Sequence, residues 1–567
     1  MLEHYRRRVF LALLTLIIFA SSVLTFAPKI PNATVYVRKP TVGPPPPRPA
    51  EQARSVQSPK PDPNHHPATP QQGQTNPAVT TTMAPSSASP AIRKEEAAPI
   101  PGPELAGLPT LIHTVKPGDS PGAIAYRYLP QTVFMMTGEL EAAIRQANPG
   151  LTGKHLQPGQ QIVIPGIEAA PPEALRPAPM PKSSEIRAIY LTGWTAGSER
   201  GLDLIRRWKE LGGNAVVFDI KDFDGLVNVS FSHPLAPEKQ RPPIRSLAKL
   251  VRFLRRLNLQ SIGRIALFRD QDMATHHPEL AVQSRRSKAP WRENGKPVWV
   301  DPSRREVQDY NIALAKHGAE AGIDEIQFDY VRFPAEGDQA DAQFSFQSEH
   351  PEWPRPKVIS DFLERAYNQL HPLGVLVSLD VFGVMAWQRP VDLANTGQDI
   401  PTMARFCDVL SPMIYPSHFF GMDGFATPGD APEHFIGESM DRFRKVTAGS
   451  DVVLRPWLQA FAWRTKTYSP DYVHTQMRVA REKGGIGYLF WNARNDYSVP
   501  FRAIRELSVV ARRTPLEGLP ALATEVTSTA STSTPVSSGQ LSAETASQAR
   551  ITPSKDSPAA QGTGADR

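Results

Sequence analysis

Eight short apolar segments, separated by amphipathic helical stretches, occupy the sequence between residues 186 and 512. Parallel strands need crossover connections, which are usually helices, so this alternation predicts a parallel α/β sheet. Eight repeats in about 325 residues fit a closed (β/α)8 barrel of the TIM type. An open doubly wound sheet has the same rhythm, but no glycine-rich phosphate loop follows the first segment. The predicted strands are 188–194, 215–220, 261–268, 325–330, 375–382, 409–415, 453–461 and 487–491.

Aspartates lie at or just after the carboxyl ends of four successive predicted strands, the second to the fifth. They are Asp219 and Asp222, Asp270, Asp329, and Asp380. A single aspartate at such a place usually caps the next helix. Because the chemistry of these barrels gathers at the carboxyl ends of the strands, four in a row predict an acidic cleft. Two carboxyl groups across one bond are what glycosidic cleavage requires.

Further polar and aromatic residues at the same strand ends are expected to bind a substrate. Aromatic rings pack against the C–H faces of sugars, while carboxylates and amides bind the hydroxyl groups. No His-Glu-x-x-His motif or paired-histidine spacing is present, so neither a metal nor another cofactor is predicted. The predicted substrate-binding residues are Lys221, Arg269, Asp270, Tyr330, Arg332, Tyr415, His418, Trp457, Gln459, Trp491 and Asn492.

Several long motifs resemble, in order, a family of uncharacterised glycosyl-hydrolase-like domains over residues 186–500. The resemblance implies a barrel related to amylase-type glycosidases, with a nucleophile on strand four and an acid/base on strand five. Asp329 and Asp380 stand at those places, and the second is Asp where such barrels carry Glu. Asp219 and Asp222 are the alternative carboxylates. The motifs are FDIKDFDG (218–225), DEIQFDYVRFP (324–334), DVFG (380–383), SPMIYPSH (411–418), RPWLQAF (455–461) and FWNA (490–493).

Two functions remain open for the barrel. The first is a glycosidase that acts on a cell-wall or extracellular polysaccharide. The second is a non-catalytic glycan-binding barrel that scaffolds the cell envelope. The role of Asp329 depends on local geometry, because alternation places it on the opposite face of the strand from Tyr330 and Arg332. A bend near residue 330 decides whether Arg332 braces this carboxylate.

A small domain is predicted at residues 110–166, with the order strand, helix, helix, strand. It opens with His-Thr-Val-Lys-Pro-Gly-Asp (113–119), turns at Ala-Asn-Pro (147–149) and closes with Leu-x-Pro-Gly-Gln-x-Ile-x-Ile-Pro (156–165). These motifs resemble a LysM domain, except that residues 130–139 lengthen the segment between the helices. The resemblance implies binding of peptidoglycan or another N-acetylglucosamine-containing glycan. The implied contacts are Gly118, Asp119, Ser120, Asn148, Pro149, Gly150 and Leu151, although capping and turn roles are equally open for Asp119 and Asn148.

The amino terminus carries the pattern of a membrane anchor. Residues 9–27 are uncharged and mostly apolar, which is long enough to span a bilayer as one helix. Arg6, Arg7 and Arg8 precede them and favour a cytoplasmic stub at 1–8. A cleaved signal peptide is the alternative. In both cases the bulk of the chain is extracytoplasmic, and with an anchor it is tethered to the inner or cytoplasmic membrane.

Composition separates the domains. The chain has 58 prolines, concentrated in its first third. Residues 28–108 and 167–185 are predicted to be linkers, and the Ser/Thr-rich tail 513–567 is predicted to be disordered. The net charge of +7 lies in short arginine clusters without a basic stripe of interleaved aromatics, so no nucleic-acid partner is predicted.

Overall fold

The computed structural model describes residues 107–151, 156–168, 175–237 and 240–513. The predicted stub 1–8 and anchor 9–27 lie outside these residues, as do nearly all of the linker 28–108 and of the tail 513–567. Among the described helices, none is both long enough and apolar enough to cross a bilayer.

The large domain is a closed barrel of eight parallel strands, as the sequence predicts. Consecutive strands pair with each other, and β8 pairs back with β1 through Gly487 opposite Ile186. Thr192 caps a short helix directly after β1, so this strand ends three residues earlier than predicted. The strands are β1 (Ile186–Leu191), β2 (Ala215–Lys221), β3 (Gln260–Ala266), β4 (Glu325–Asp329), β5 (Leu376–Phe382), β6 (Val409–Met413), β7 (Trp457–Gln459, after the short strand Val453–Leu454) and β8 (Gly487–Trp491).

Alternation along the strands separates the barrel interior from the layer that faces the helices. Val217 of β2 and Ile262 of β3 belong to the inner cluster, whereas Val216 and Phe218 join the larger core beneath the helices. The same alternation places Asp219 and Arg264, two positions after Val217 and Ile262, on the inner face of the barrel.

Helices connect the strands and cover the barrel. Serine side chains cap several of them, as Ser246 does by accepting from Lys249 N. Two long loops, after β3 and β4, pair as the antiparallel strands Gln283–Ser284 and Ala342–Gln343. The helices of the barrel are Gly193–Ala196, Glu199–Glu210, Leu247–Arg256, Gln271–His276, Arg305–Glu320, Phe346–Glu349, Arg355–Leu370, Pro390–Thr396, Ile400–Met403, Pro432–Val446, Pro470–Glu482 and Ser498–Arg513.

The small domain has the predicted order of elements. Strands Leu111–Thr114 and Gln161–Ile164 pair antiparallel, and helices Pro121–Tyr128 and Thr137–Ala147 pack on them. Its buried core includes Ile124, Leu140, Ile144, Ile162 and Ile164.

The lengthened segment 130–139 of the small domain lies against the barrel. Its Met135 and Met136 pack on the barrel core. Basic side chains of the barrel bind the small domain in two ways. Lys249 and Arg256 donate to main-chain oxygens, to Leu129 O and, at 2.9 Å, to Val133 O. The ion pairs are Arg206 with Glu139 at 2.5 Å, and Arg252 and Arg256 with Glu168 at 3.0 and 2.7 Å. The departure from the LysM pattern is therefore a docking element, which we call the docking segment (residues 130–139), and Leu129 and Glu168 outside it add further contacts.

The described end of the linker, residues 175–185, also contacts the barrel. Ala178 N donates to Asp324 Oδ1 at 3.0 Å, and Met180 N donates to Gln260 Oε1 at 2.9 Å. Both acceptors stand at the beginning of strands, so this segment runs along the amino-terminal face, opposite the mouth.

Candidate active site

An arginine stands at the centre of the barrel mouth. Arg264 of β3 donates to Asp219 of β2 at 2.5 Å and to Asp329 of β4 at 2.6 and 3.1 Å. Its Nε atom also lies 3.8 Å from Asp380 of β5. The register explains the cluster, because Asp219 is opposite Arg264 and the other two aspartates follow on the next strands. Three carboxyl groups thus share one guanidinium, and we call these four residues the central cluster.

Asp329 is held at the very end of β4. Its Oδ1 accepts from Tyr330 N at 2.6 Å and its Oδ2 accepts from Arg264. Tyr330 has a positive φ of 52°, so the chain bends sharply there. The bend carries Arg332 away, to a place over the rings of Phe382 and Trp299 at 4.3 and 4.8 Å.

The bend at Tyr330 determines which cation contacts the Asp329 carboxyl group. Within the described residues, Arg332 makes no ion pair with that carboxylate, and its guanidinium donates to Phe333 O at 3.0 Å. Arg264 makes the bond instead. Hydrogen bonds from a guanidinium stabilise the negative charge that a nucleophile needs.

Asp380 differs from Asp329 in its environment. Its Oδ1 accepts a 2.6 Å hydrogen bond from the indole of Trp457. Burial and the neighbouring charge of Asp329 raise the pKa of Asp380 well above its usual range, which favours the protonated acid. The facing oxygens of the two carboxyl groups lie 3.1 and 3.8 Å from the same Nε atom of Arg264, so they are no more than about 7 Å apart. Two carboxyl groups in different environments therefore stand side by side, Asp329 bonded to a guanidinium and Asp380 buried with a raised pKa.

Two further carboxyl groups lie on the β2 side. Burial raises the pKa of Asp219, although Arg264 opposes the shift, and the hydroxyl of Tyr190 donates to it at 2.5 Å. Asp222 is half-buried in the turn after β2. Burial and the charge of Asp219 raise the pKa of Asp222 to about 8. Asp222 is thus a second carboxyl group that holds a proton at neutral pH, and it is more exposed than Asp380.

Aromatic rings form the opposite wall of the mouth. Trp491 of β8 lies 6.3 Å from Tyr190, 5.8 Å from Tyr415 and 5.5 Å from Phe461, measured between ring centroids. The half-buried indole of Trp491 and the exposed imidazole of His418 face the opening. Such a wall can receive the apolar face of a sugar ring.

Several predicted substrate-binding residues are engaged inside the protein. Lys221 forms a fully buried ion pair with Asp270 at 2.8 Å, and Asp270 also caps the following helix through Met273 N. A β-bulge between Asp219 and Lys221 turns the lysine away from the central cluster. These two residues brace the loops after β2 and β3.

Three more predicted residues connect neighbouring loops. Gln459 accepts from Ser417 N at 3.2 Å and donates to Phe461 O at 2.9 Å. Asn492 donates to Ala460 O at 2.6 Å. Arg269 lies 4.7 Å over the ring of Phe223 and 5.8 Å over that of Tyr330, and its Nη2 is 3.9 Å from Glu293.

Sequence reasoning missed Arg264 and Tyr190. A signal for the first was present, because an arginine inside an otherwise apolar strand requires a buried counter-charge. Tyr190 gives no such signal, since a tyrosine in a strand is ordinary. In the described part of the chain, no group of three or more His, Cys, Asp or Glu side chains is arranged to hold a metal ion.

In the small domain, the polar side chains of the expected glycan groove are largely engaged. Asp119 accepts from His113, Arg127 and Lys116 N at 2.8 to 2.9 Å. Ser120 caps the helix that follows it. Asn148 exchanges hydrogen bonds with Val163 N and O at 2.9 and 2.8 Å.

The backbone of the groove is more open. Gly118, Pro149 and Gly150 are exposed, and Leu151 is half-buried. In these two loops the main chain is therefore more accessible than the engaged side chains of Asp119 and Asn148.

Fold and site together define an α/β barrel with a cluster of carboxyl groups at its mouth, joined to a small βααβ domain. Residues 188–497 match the family model described as "Putative glycosyl hydrolase domain", and residues 113–165 match the LysM domain. The chain belongs to this glycosyl hydrolase domain family and carries a LysM domain ahead of the barrel. A comparison with curated proteins gives no match.

Solved structures resemble parts of the chain. A hypothetical protein from Ruminiclostridium thermocellum ATCC 27405 shares 35% identity over 34% of this chain and 97% of its own, with a TM-score of 0.30. The PgaB (BpsB) glycoside hydrolase domain from Bordetella bronchiseptica shares 17% identity over 58% and 98%, with a TM-score of 0.42. The spore cortex-lytic enzyme SleL from Bacillus megaterium QM B1551 shares 12% over 70% and 86%, with a TM-score of 0.33. At these TM-scores the similarities support no functional inference.

Proposed function

We propose that the barrel hydrolyses glycosidic bonds of a cell-wall or extracellular polysaccharide, with Asp329 as nucleophile and Asp380 as acid/base. The observation that carries the proposal is the pairing of an Arg264-bound carboxylate with a buried carboxyl group of raised pKa at the mouth of the barrel. Two carboxyl groups with different protonation are what this reaction needs.

The chemical steps follow from that pairing. Asp380 gives its proton to the oxygen of the leaving sugar while Asp329 bonds to the anomeric carbon. Asp380 then takes a proton from water, and the resulting hydroxide displaces Asp329. The facing oxygens are no more than about 7 Å apart, a limit that includes the roughly 5 Å of retaining enzymes and lies below most of the roughly 6.5–9.5 Å range of inverting ones. We therefore infer that the sugar product retains its anomeric configuration.

The test is digestion of purified peptidoglycan and secreted polysaccharide by the full chain, with analysis of the products. Asp329→Asn keeps the shape and removes the charge, so kcat should fall by about 10³-fold or more while glycan binding persists. Asp361→Asn, at a half-buried position of helix Arg355–Leu370 where the carboxylate pairs only with Lys357 at 2.7 Å within the described residues, is the matched control and should retain full activity. Turnover that survives Asp329→Asn would exclude this nucleophile and leave Asp219 or Asp222 as the leading carboxylate.

The identity of the acid is tested separately. Asp222 is the rival of Asp380, because it also has a raised pKa and is better exposed to the mouth. The pH profile of activity is compared between Asp380→Asn and Asp222→Asn. The fall in activity at high pH should disappear in the variant that lacks the acid and persist in the variant that retains it. Activity needs the protonated form, so it falls as pH rises through the raised pKa.

A second function is favoured by one observation. Asp329 and Asp380 are only 7% and 1% exposed, and three of their four oxygens accept close hydrogen bonds from the protein. A barrel that binds glycans without cleaving them would have this closed arrangement. Saturable binding by the wild-type chain, with no reducing ends released from any glycan, would favour this scaffold.

We propose that the LysM domain brings the barrel to peptidoglycan or another N-acetylglucosamine-containing glycan. An added Cβ at Gly150 meets open space, so Gly150→Trp should fold and obstruct the groove. Retention on insoluble peptidoglycan should fall in this variant. Ala142→Trp, on the exposed face of helix Thr137–Ala147, should leave retention unchanged. Equal retention of both variants would argue against this groove.

We propose that residues 9–27 anchor the chain in the inner or cytoplasmic membrane and leave the domains outside. The apolar run and the three preceding arginines support this topology. The protein should sediment with membranes and be cut by protease added from the outer side. Recovery of a soluble chain that begins near residue 28 would instead establish a cleaved signal peptide.

A further inference from the structure

A cavity of about 570 Å³ opens between the loops that follow β6 and β7. Its lining includes Ser417, Phe420, Asp430, Arg464 and Lys466. We call it the β6–β7 cavity. None of its residues belongs to the central cluster, so the mechanism proposed above does not use it.

A continuous series of rings joins this cavity to the aromatic wall of the mouth. Trp491 lies 5.8 Å from Tyr415, Tyr415 lies 5.2 Å from His418, and His418 lies 5.1 Å from Trp463. The guanidinium of Arg464 is 4.6 Å from the centre of the Trp463 ring. A glycan that extends from the central cluster along these rings therefore reaches Arg464.

Arg464 is held in position but its charge is not neutralised. Its guanidinium lies between Trp463 and Phe420, 3.9 Å from the centre of the latter ring. Within the described residues it has neither an ion-pair nor a hydrogen-bond partner. Its φ of 51° is a strained conformation for a residue with a side chain. Stacking fixes the guanidinium plane and leaves its N–H donors free for a ligand.

The cavity as a whole is positively charged. Lys466 adds a second cation, and no acidic side chain of the described chain pairs with it. Asp430 is the one acidic residue of the lining, and one of its oxygens already accepts from Lys466 N at 2.7 Å and from Thr467 N at 3.1 Å. The mouth thus has an acidic side at β2 to β5 and a basic side at β6 and β7.

We propose that the β6–β7 cavity is a subsite for a carboxylate carried by the bound glycan, with Arg464 as its main contact and Lys466 as its second. A guanidinium binds a carboxylate through two parallel hydrogen bonds, and stacking on rings adds to its fit. The inference rests on glycan binding at the mouth but not on hydrolysis. The carboxylate belongs either to a uronic acid of a polysaccharide or to the lactyl and peptide groups of peptidoglycan.

Calorimetric titration of the full-length Asp329→Asn protein tests this, because binding is then measured without turnover. The ligands are a uronic-acid oligosaccharide and a peptidoglycan oligomer that keeps its stem peptides, each beside a form with its carboxylates converted to amides. Adding Arg464→Met should weaken binding of the acidic ligand about tenfold, as loss of one charged hydrogen-bond pair implies. Binding of the amide form should change less than twofold.

The matched control is Arg405→Met, because Arg405 is also exposed and also lies over a ring, that of Phe406 at 5.6 Å, but it precedes β6 at the opposite end of the barrel. It should change neither affinity. A tenfold loss with only one acidic ligand supports the subsite and identifies the source of the carboxylate. Equal effects of Arg464→Met on acidic and amide forms, or no binding of either acidic ligand to the parent protein, would overturn it. Neither outcome depends on whether wild-type protein cleaves the glycan.

Discussion

Replacing Arg264 with methionine should destabilise the barrel. The arginine side chain is 7% exposed, and it makes hydrogen bonds of 2.5 and 2.6 Å to Asp219 and Asp329. Methionine fills much of the same volume but leaves three buried carboxyl groups without a counter-charge. Breaking a buried ion pair by removing one partner costs about 3–5 kcal/mol. We expect a loss of this size at pH 8.

The loss should also depend on pH in a defined direction. Burial already raises the pKa values of Asp219 and Asp380, and Arg264 opposes both shifts. Without it, both values rise further. A carboxyl group whose pKa is higher in the folded than in the unfolded chain binds more protons when folded, so stability falls as pH rises. The destabilisation by Arg264→Met should therefore be smaller at pH 5 than at pH 8.

Thermal unfolding of the full chain at both pH values measures the effect. At about 2 °C per kcal/mol, the midpoint of the barrel should drop by roughly 6–10 °C at pH 8. Arg464→Met removes an exposed arginine and should change stability by no more than about 0.5 kcal/mol. A loss for Arg264→Met that is equal at both pH values, or below about 1 kcal/mol, would refute the view that this arginine neutralises the carboxyl groups.

Two further predictions concern other aspartates. The pKa of Asp222 is raised to about 8, so the folded chain holds its proton from about pH 4 to 8 and loses stability as pH rises through this range. Asp222→Asn should remove this dependence of the unfolding free energy on pH, which is at most about 1 kcal/mol per pH unit after allowance for partial exposure. Denaturant unfolding at pH 5 and pH 8 measures the difference. In the LysM domain, hydrogen bonds from Lys116 N, His113 and Arg127 lower the pKa of Asp119. Its carboxylate therefore stabilises the domain above about pH 4 and less so below it. Amide hydrogen exchange measures the opening free energy of the domain. The fall in this free energy from pH 6 to pH 3 should be smaller in Asp119→Asn than in the wild type, and an equal fall would contradict the prediction.

The barrel was predictable because its signal is repeated. Each strand is a short apolar run between helices, and eight such runs leave few architectures that bury them all. The ends of the strands were predicted less well. Thr192 and Tyr330 interrupt the runs through a helix cap and a left-handed backbone, which depend on local geometry more than on hydrophobicity.

The acidic cleft was predictable, but its internal partners were not. Strand position alone brought Asp219, Asp329 and Asp380 together. Which cation joins them depends on the bend at Tyr330, which sends Arg332 away and leaves the place to Arg264. Pairing between side chains distant in sequence is a property of the folded barrel, and no single segment specifies it.

The docking segment of the LysM domain has a consequence for the two proposed glycan sites, because it fixes the distance between them. When a flexible linker joins two binding sites, the effective concentration of a bound ligand at the second site is an average over many distances between the sites. Here the salt bridges that Glu139 of the docking segment and the nearby Glu168 form with barrel arginines hold one separation. A glycan strand long enough to cover that single distance engages both sites at once, whereas a shorter strand gains nothing from the second site. Under the proposed function, the fixed position of the LysM domain would set a minimum glycan length for binding at both sites.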